Sequence, residues 1–293
     1  DSVLLLRKRK ASFGFIIMNQ TDTPSWSWSF SSLGCPELDL AGIVELAKSQ
    51  DLRHLELRTV EDRVDLPALF RERYGSPEKL RGWLDEKGMR VVALDSSLKL
   101  VGNKEEDREA FLAFMEWAEA LDTPWLRVFD GGTFAAELGK EDLEAALETI
   151  RWWREEKARR KARTDIMIET HDCLTASAAV RQLQSHLEEP AAILWDTHHT
   201  WKKGGEDPAA TWAALQGPVP HVHIKDSVSE PSARHPFTYV QLGEGEFDLD
   251  GTLSLLRESG FDGIVSIEWE RKWHPYLPPL ESALKRARSL GWW

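Results

Sequence analysis

Four short segments in the second half of the chain each end a strand-like run with a residue type that binds metal ions. Their sequences are IMIETH, ILWDTHH, HVHIKD and VSIEWE, and they contain the candidate ligands Glu169, Asp196, His223 and Glu268. These ligands lie 27, 27 and 45 residues apart along the chain. One strand, one helix and their loops occupy about 25–45 residues in an eight-unit β/α barrel. The spacing therefore predicts four successive strands that bring one divalent metal ion to the mouth of a barrel.

Short apolar runs alternate with longer amphipathic stretches from residue 26 onward, which is typical of βαβ units and a parallel sheet. We predict strands at 26–30, 54–58, 90–95, 125–130, 165–170, 192–197, 220–225 and 263–269. We predict helices at 38–50, 77–88, 105–121, 140–162, 174–187, 207–216, 249–259 and 278–290. Because no long linker rich in Ser, Pro or Gly divides these units, we expect one α/β domain, a (β/α)8 TIM barrel, over residues 18–293.

Residue alternation along the strand-like runs separates a polar face from an apolar one. In HVHIKD, the polar residues His221, His223 and Lys225 share one face of the strand. Val222 and Ile224 share the opposite face, which would pack beneath the helices. The polar faces therefore point into the barrel, and they do so near the carboxyl ends of the strands, where TIM-barrel active sites lie.

Three carboxylates that converge inside a barrel need a counter-charge, because an isolated ionised group is costly to bury. A single Glu or His on a strand more often has a structural role, but four at the same relative position indicate a metal site. Three carboxylates and one imidazole, with no thiolate, suit Mn²⁺, Mg²⁺ or Co²⁺ better than structural zinc. We expect one divalent ion, with Mn²⁺ favoured and Mg²⁺, Co²⁺ or Zn²⁺ as alternatives.

The overall charge of the chain argues against two classes of partner. The chain has 49 acidic and 37 basic side chains, a formal charge of −12. Such a surface repels phosphate backbones and anionic membranes, so we expect no nucleic-acid partner and no membrane association. The two cysteines, Cys35 and Cys173, are far apart and in no CxxC pattern. This usage favours a reducing compartment and a cytoplasmic location.

The amino-terminal segment 1–17 differs in character from the rest of the chain. It begins with Asp and places a basic cluster between two short apolar stretches, and Met18 is the first methionine. As a signal peptide it fails, because its apolar run is too short and no small-residue cleavage site follows. We expect a non-native or disordered extension, with a functional basic arm as the alternative.

Taken together, the segments resemble the xylose isomerase-like superfamily of sugar isomerases and epimerases, from about residue 26 to the carboxyl terminus. The matching pieces are LELR at 55–58, Glu169-x-His171, Asp196-x-x-His199, HVHIKD at 221–226, LGEGEFD at 242–248 and SIEWE at 266–270. Their order and spacing are specific for the superfamily. They are not specific for a substrate.

The resemblance implies roles for the four candidate ligands. In ketose epimerases of the superfamily a Glu, an Asp, a His and a Glu hold the metal, and by motif these fall on Glu169, Asp196, His223 and Glu268. The two Glu residues then also form the catalytic acid/base pair. A chelated cation polarises the substrate carbonyl, one Glu removes the neighbouring proton, and the other returns a proton. The implied activity is that of a metal-dependent isomerase or epimerase of a polyhydroxy ketone or aldose.

Other polar residues are expected to contact the substrate or support the ligands. By resemblance, His199 hydrogen bonds a substrate oxygen or orients a ligand. Lys225 would stabilise an enediolate or pair with Glu56 or Glu244. The remaining candidate substrate contacts are His171, Glu56, Arg127, Arg271 and Trp26, the last by stacking on a sugar. Because no Gly-rich phosphate loop stands out, we expect an unphosphorylated carbohydrate substrate.

Two alternatives remain open at this point. One is an inosose-type dehydratase, which abstracts a proton in a similar way, and the other is a catalytically silent barrel that binds a sugar. The DNA-repair branch of the superfamily is disfavoured, because it uses additional His ligands on strands two and three, which here read HLELRT and VVALDSS. The sequence leaves the sugar, the native metal and the oligomeric state open, a homo-oligomer included.

Overall fold

The structure, a computed structural model, describes residues 24–215 and 217–293. The expected extension at residues 1–17 therefore lies outside the described residues. The strands are β1 (Ser27–Phe30), β2 (His54–Leu57), β3 (Arg90–Val101), β4 (Trp125–Gly131), β5 (Asp165–Glu169), β6 (Ala192–Asp196), β7 (His221–Ile224), β8 (Ser227–Val228), β9 (Thr238–Tyr239) and β10 (Ile264–Ile267).

Eight of these strands form one sheet in the order β1-β10-β7-β6-β5-β4-β3-β2. All of the recorded strand pairs in this sheet are parallel. A parallel bridge between Ser31 and Glu56 brings β1 next to β2, and the Ser29 hydroxyl donates to the carbonyl of His54 at 3.1 Å. The sheet is therefore a nearly closed barrel, and the prediction of a (β/α)8 TIM barrel is confirmed.

Helices connect the strands and cover the outside of the barrel. They are α1 (Leu40–Ser49), α2 (Leu66–Tyr74), α3 (Pro77–Lys87), α4 (Glu105–Leu121), α5 (Lys140–Arg160), α6 (Ser177–Ser185), α7 (Thr197–Lys202), α8 (Pro208–Ala214), α9 (Leu249–Glu258) and α10 (Leu280–Ser289). Their ends follow local chemistry: the Asp39 carboxylate caps α1 by accepting from the N–H of Gly42 at 2.8 Å. No described helix combines the length and apolar character needed to cross a membrane.

Each predicted strand overlaps an observed one, and each predicted helix overlaps an observed helix. Four features were not predicted. Strand β3 continues to Val101 instead of ending at 95, and the short helices α2 and α7 were missing from the prediction. The antiparallel hairpin of β8 and β9 was also missed, because two-residue strands are too short to show alternation.

Within the part of the chain that the structure describes, the buried apolar residues form two groups. The larger group lies between the sheet and the helices and contains outward-facing strand residues such as Leu57 and Ile168. The smaller group, Ala93, Met167, Ala192 and Leu194, fills the barrel interior toward the amino ends of the strands. The next inward-facing positions toward the carboxyl ends are polar, so the functional site begins where this apolar layer stops.

Candidate metal centre at the carboxyl ends of the strands

The structure brings Glu169, Asp196, His223 and Glu268 together inside the barrel mouth. Glu169 and Asp196 end β5 and β6, His223 lies in β7, and Glu268 directly follows β10. One ligand atom from each lies within 4.8 Å of the others, and all four residues are buried. Since metal–ligand bonds of this kind measure about 2.0–2.6 Å, donors at these separations could share one ion.

Asp196 serves two structural purposes at once. It ends β6 and is also the N-cap of α7, whose first turn follows without a loop. Its Oδ1 accepts from the N–H of His199 at 2.8 Å, which leaves Oδ2 to face the candidate centre. The same cap fixes His199, whose Nδ1 lies 3.2 Å from Asp196 Oδ2 and 3.9 Å from Glu169 Oε1. The D-x-x-H spacing is therefore a helix cap that positions two site residues.

The imidazole of His223 is oriented by a carboxylate behind it. Its Nε2 hydrogen bonds Glu56 Oε1 at 2.9 Å, and its Nδ1 lies 3.5 Å from Glu268 Oε2 and 3.8 Å from Asp196 Oδ2. A histidine that ligates a metal usually donates its other ring nitrogen to such a carboxylate, which fixes the tautomer and the ring plane. Glu56 is thus a positioning residue, and Nδ1 is the nitrogen available to a metal.

The donor set fits a hard divalent cation. Both carboxylate oxygens of Glu169 and Nδ1 of His223 are buried and have no hydrogen-bond partner among the described residues. Buried polar atoms are almost always paired, so unpaired atoms that converge on one point indicate a ligand. Three carboxylates and one imidazole match the preference of Mn²⁺ and Mg²⁺ for oxygen donors.

Lys225 contributes a positive charge at the edge of this cluster. Its Nζ lies 2.8 Å from Asp196 Oδ2 and 2.8 Å from Glu270 Oε1, and it hydrogen bonds Glu268. Burial alone would lower the pKa of Lys225, but the charges of these three carboxylates hold that pKa well above its usual range. The partners are not Glu56 or Glu244, because the side chain points toward the mouth of the barrel.

The two candidate acid/base glutamates have different electrostatic surroundings. Burial raises the pKa of Glu169 above its usual range, and the guanidinium of Arg127, with Nε at 3.4 Å, opposes that shift only in part. For Glu268, burial has the same tendency, but Lys225 and His223 outweigh it and hold the pKa well below its usual range. The surroundings of the two glutamates therefore shift their pKa values in opposite directions.

Aromatic and imidazole rings form one wall of the mouth. The ring of Phe129 lies 4.9 Å from that of His171, and His171 lies 4.6 Å from His199, both in edge-to-face arrangements. Burial and the nearby charge of Lys225 keep the pKa of His199 well below its usual range, so its imidazole is neutral. His171 is only partly buried and could reach a bound molecule.

A second buried cluster lies beneath the four ligands. Glu56 Oε2 is 2.6 Å from Nε2 of His221, so this carboxylate bridges two histidines of β7. Burial would raise the pKa of Glu56, but His223 and His221 hold it well below its usual range. Arg127 crosses the same layer, 3.7 Å from Asp95. Glu56 and Arg127 therefore support the ligands from below.

Two of the residues expected to contact substrate lie elsewhere. Trp26 precedes β1, so it lies at the amino end of the barrel, buried against Trp28 and Phe261. Because Trp26 is the first residue of the predicted strand 26–30, its place at the amino end, away from the mouth, follows from the sequence prediction itself. Arg271 lies on the rim, and its Nη1 is 2.6 Å from the carboxylate of Glu37. The structure therefore does not bring these two residues into the cluster.

Several supporting residues were missed from the sequence. The carboxylate of Asp226 accepts hydrogen bonds from the N–H groups of Ser227, Gly243, Gly245 and Phe247 at 2.9–3.2 Å. A Cβ on Gly245 would lie 2.0 Å from Asp226 Oδ1, so only glycine fits there. Asp226, the last residue of the HVHIKD segment, therefore holds the LGEGEFD loop in place through backbone hydrogen bonds.

Asp130 holds the loop that bears His171 in a similar way. The carboxylate of Asp130 accepts from the N–H groups of Gly131, His171, Asp172 and Leu174 at 2.7–3.2 Å. The available signal was an Asp at the end of a predicted strand, directly before two glycines. On its own, that signal does not distinguish an Asp that hydrogen bonds a neighbouring loop from an Asp that contacts the substrate.

Comparisons with known proteins agree with this architecture. The model of the xylose isomerase-like TIM barrel family matches residues 44–291. Among solved structures, the chain is similar to the probable 3-DHS dehydratase AsbF from Bacillus anthracis, at 20% identity and a TM-score of 0.71, covering 89% of this chain and 98% of that one.

Two further structures are similar over comparable lengths. The IolI protein with a bound zinc atom matches at 18% identity and a TM-score of 0.70, covering 90% of this chain and 96% of that one. A D-tagatose 3-epimerase-like protein matches at 19% identity and a TM-score of 0.63, covering 90% and 99%. At such identities the likeness shows the fold alone. A search of curated proteins finds no match.

Proposed function

The chain belongs to the xylose isomerase-like TIM barrel family, and on that premise we propose that it is a metal-dependent isomerase or epimerase. Its substrate would be an unphosphorylated polyhydroxy ketone or aldose. The observation that carries this proposal is the convergence of ligand atoms from Glu169, Asp196, His223 and Glu268 within 4.8 Å of one another. Two of these four are glutamates whose pKa values are shifted in opposite directions.

Each of the four would hold the cation through one atom, with His223 using Nδ1. A divalent ion there would polarise a substrate carbonyl and acidify the adjacent C–H bond. We favour Mn²⁺ because of the oxygen-rich donors, with Mg²⁺, Co²⁺ and Zn²⁺ as alternatives. The zinc in the IolI structure makes zinc a sensible member of any metal screen.

The two glutamates then transfer the proton. Glu268, which Lys225 keeps ionised, would remove the proton beside the carbonyl. Glu169, whose pKa burial raises, would deliver a proton to the other face of the resulting enediolate. Return to the same carbon from the opposite face inverts that carbon, which is epimerisation. Return to the neighbouring carbon interconverts aldose and ketose.

Neighbouring side chains would position the substrate and stabilise the reacting groups. The neutral imidazole of His199 lies beside two ligands and can hydrogen bond a substrate hydroxyl. Arg127, at 3.4 Å from Glu169, would orient that carboxylate and limit its pKa. Lys225 supplies positive charge where an enediolate develops.

A dehydratase is the second candidate function. Elimination of water from a hydroxy ketone needs a proton donor for the departing hydroxide as well as a base. The ammonium of Lys225 hydrogen bonds both Glu268 and Glu270, so a donor lies next to the base. A barrel that binds a sugar without turnover is the remaining, non-catalytic alternative.

Cytoplasmic location, homo-oligomerisation and the lack of a nucleic-acid partner remain predictions.

The test is a screen for solvent deuterium exchange. Protein treated with chelator and then reloaded with Mn²⁺, Co²⁺, Mg²⁺ or Zn²⁺ is incubated in D₂O with free ketoses, aldoses and inososes. We expect deuterium at the carbon next to the carbonyl of at least one sugar, only in the reloaded protein. Loss of water from an inosose would favour the dehydratase instead. Binding without any exchange would leave only the silent barrel and contradict the proposal.

A further inference from the structure

Arg58 is a buried cation that contacts no carboxylate directly among the described residues. It follows β2 at the carboxyl end of the barrel and is only 7% exposed. Its Nη1 donates to the carbonyl of Asp95 at 3.2 Å and to the hydroxyl of Ser97 at 3.1 Å, both neutral acceptors. These bonds fix one corner of the guanidinium without neutralising its charge.

The other arginines near the mouth each have a carboxylate. Arg127 lies 3.4 Å from Glu169, and Arg271 lies 2.6 Å from Glu37. Among the described residues, no carboxylate lies within 4.0 Å of the Arg58 guanidinium. Burial, and secondarily the charge of Arg127, lower the pKa of Arg58 to about 10, so it remains charged at neutral pH. Asp95, Glu169 and Glu268 act on this charge only from beyond contact distance, so a bound anion could be its direct partner.

The open edge of the guanidinium is suited to a flat anion. Within the described residues, neither Nε nor Nη2 of Arg58 has a hydrogen-bond acceptor. Neither nitrogen is fully buried, so a bound molecule could contact both. Two parallel N–H groups on one edge match the two oxygens of a carboxylate. A phosphate dianion would need additional donors, and the sequence offers no Gly-rich phosphate loop.

Arg58 also lies near the proposed reaction centre. Its guanidinium lies 5.7 Å from the centre of the Phe129 ring. That ring packs against His171, which packs against His199 beside the candidate ligands. The charges of Glu169 and Glu268 act on the pKa of Arg58, so the proton-transfer pair is close by. A sugar held at the ligands would therefore extend toward Arg58.

We propose that Arg58 binds a carboxylate on the substrate, so that the natural substrate class is a polyhydroxy keto acid rather than a neutral sugar. This proposal rests on the proposed function, because it assigns the substrate of the same site. Arg58 would be a specificity-determining residue. Its charge would be neutralised only when the acid is bound.

Ligand pairs with one carbon skeleton test this directly. 2-Keto-D-gluconate and D-fructose differ only in a carboxylate or a hydroxymethyl group at C1, and D-fructose 1-phosphate places a phosphate there. Binding of each to Mn²⁺-loaded protein is measured by calorimetry, together with 5-keto-D-gluconate and L-sorbose as a second pair. We expect the acid of at least one pair to bind about 10–100-fold more tightly than its neutral partner, as hydrogen bonds between charged groups allow.

Variants separate recognition by Arg58 from chelation of the acid by the metal. Arg58→Gln should bring the acid down to the affinity of the neutral sugar and leave the neutral sugar unchanged, and Arg58→Lys should lie between. Arg63→Gln is the matched control, because Arg63 lies on the same side of the barrel, after β2, but pairs with Glu72 at 2.7 Å. It should change neither affinity.

Four results of the binding measurements would overturn the inference. They are equal binding within both pairs, an acid preference that survives in Arg58→Gln, tighter binding of the phosphate than of the acid, and no measurable binding of any ligand. The proposed function fails in a different way, namely by the absence of deuterium exchange from acids and neutral sugars alike. Exchange with neutral sugars alone would retain the function and reject the acid.

Discussion

The two halves of the barrel interior differ in chemistry although the same strands build both. Toward the amino ends, Met167 of β5 and Leu194 of β6 belong to a buried apolar layer. Two residues further along the same strands, Glu169 and Asp196 are buried carboxylates. Apolar contacts in the lower layer stabilise the fold, whereas buried charges in the upper layer are costly without a ligand. Residues that stabilise the fold and residues proposed to act on the substrate therefore lie in successive layers of one barrel.

The largest expected effect is on catalysis in the upper layer. Replacing Glu268 by Gln keeps its shape but removes the base, and Glu169→Gln does the same for its partner. We expect kcat/KM to fall by about 10²–10⁴-fold in each variant, the usual contribution of general acid–base catalysis. Steady-state kinetics with the Mn²⁺-loaded enzyme measures this. Glu244→Gln, an exposed change nearby, is the control, and full activity in both variants would refute the acid/base pair.

The reverse pattern is expected in the lower layer. Met167→Ala creates a cavity in the apolar group, so the free energy of unfolding should fall by about 2–5 kcal/mol. Chemical denaturation measures that loss, and Met167→Leu, which conserves volume, should cost less than about 1.5 kcal/mol. The folded fraction of either variant should retain kcat/KM within about tenfold of the parent. A Met167→Ala protein that is stable but inactive would contradict the division into two layers.

Glu56 lies where the two layers meet, and a change there should weaken the metal rather than the fold. A Gln at this position has one acceptor oxygen for two histidines, so the ring of His223 would be less firmly oriented. We expect the affinity for Mn²⁺ to fall by about 10–100-fold, as for other residues that support a ligand. Calorimetric titration measures it, with Glu244→Gln again as the reference. Unchanged affinity would show that Glu56 has no positioning role.

The smallest effect concerns a titratable group at the amino end. Burial, the main cause, lowers the pKa of His54 below its usual value. A histidine with a depressed folded pKa stabilises the protein above its unfolded pKa of about 6.5, and this contribution is lost as the pH falls. Between pH 7.5 and 5.5, wild type should therefore lose slightly more stability than His54→Gln. Thermal unfolding at both pH values measures this. Equal losses of stability in wild type and His54→Gln would show that His54 does not contribute to the pH dependence.

Much of the fold could be predicted because it depends on local patterns. Alternation in HVHIKD assigns His223 and Lys225 to one face, and strand spacing assigns that face to a barrel interior. The short helix α7 escaped because six residues are too few for an amphipathic period. Its cap, Asp196, was instead recognised only as a candidate ligand.

The details of the site depend on contacts between residues far apart in sequence. The hydrogen bond between His223 and Glu56 joins residues 167 positions apart, so no local motif reveals it. That no carboxylate of the described residues contacts Arg58 is likewise a property of the fold. Trp26 illustrates the converse, because it begins the predicted strand 26–30, and this place at the amino end already argued against a contact with substrate at the mouth.

The central claim is that four residues of the upper layer form one metal site. The most direct measurement is a titration of the protein with Mn²⁺ followed by electron paramagnetic resonance, which counts bound ions by the loss of the free-ion signal. We predict one bound ion per chain in wild type and in Glu244→Gln, and a large loss of affinity in Asp196→Asn, which removes one ligand charge. No bound ion in folded wild-type protein, or equal affinity in Asp196→Asn, would contradict the account.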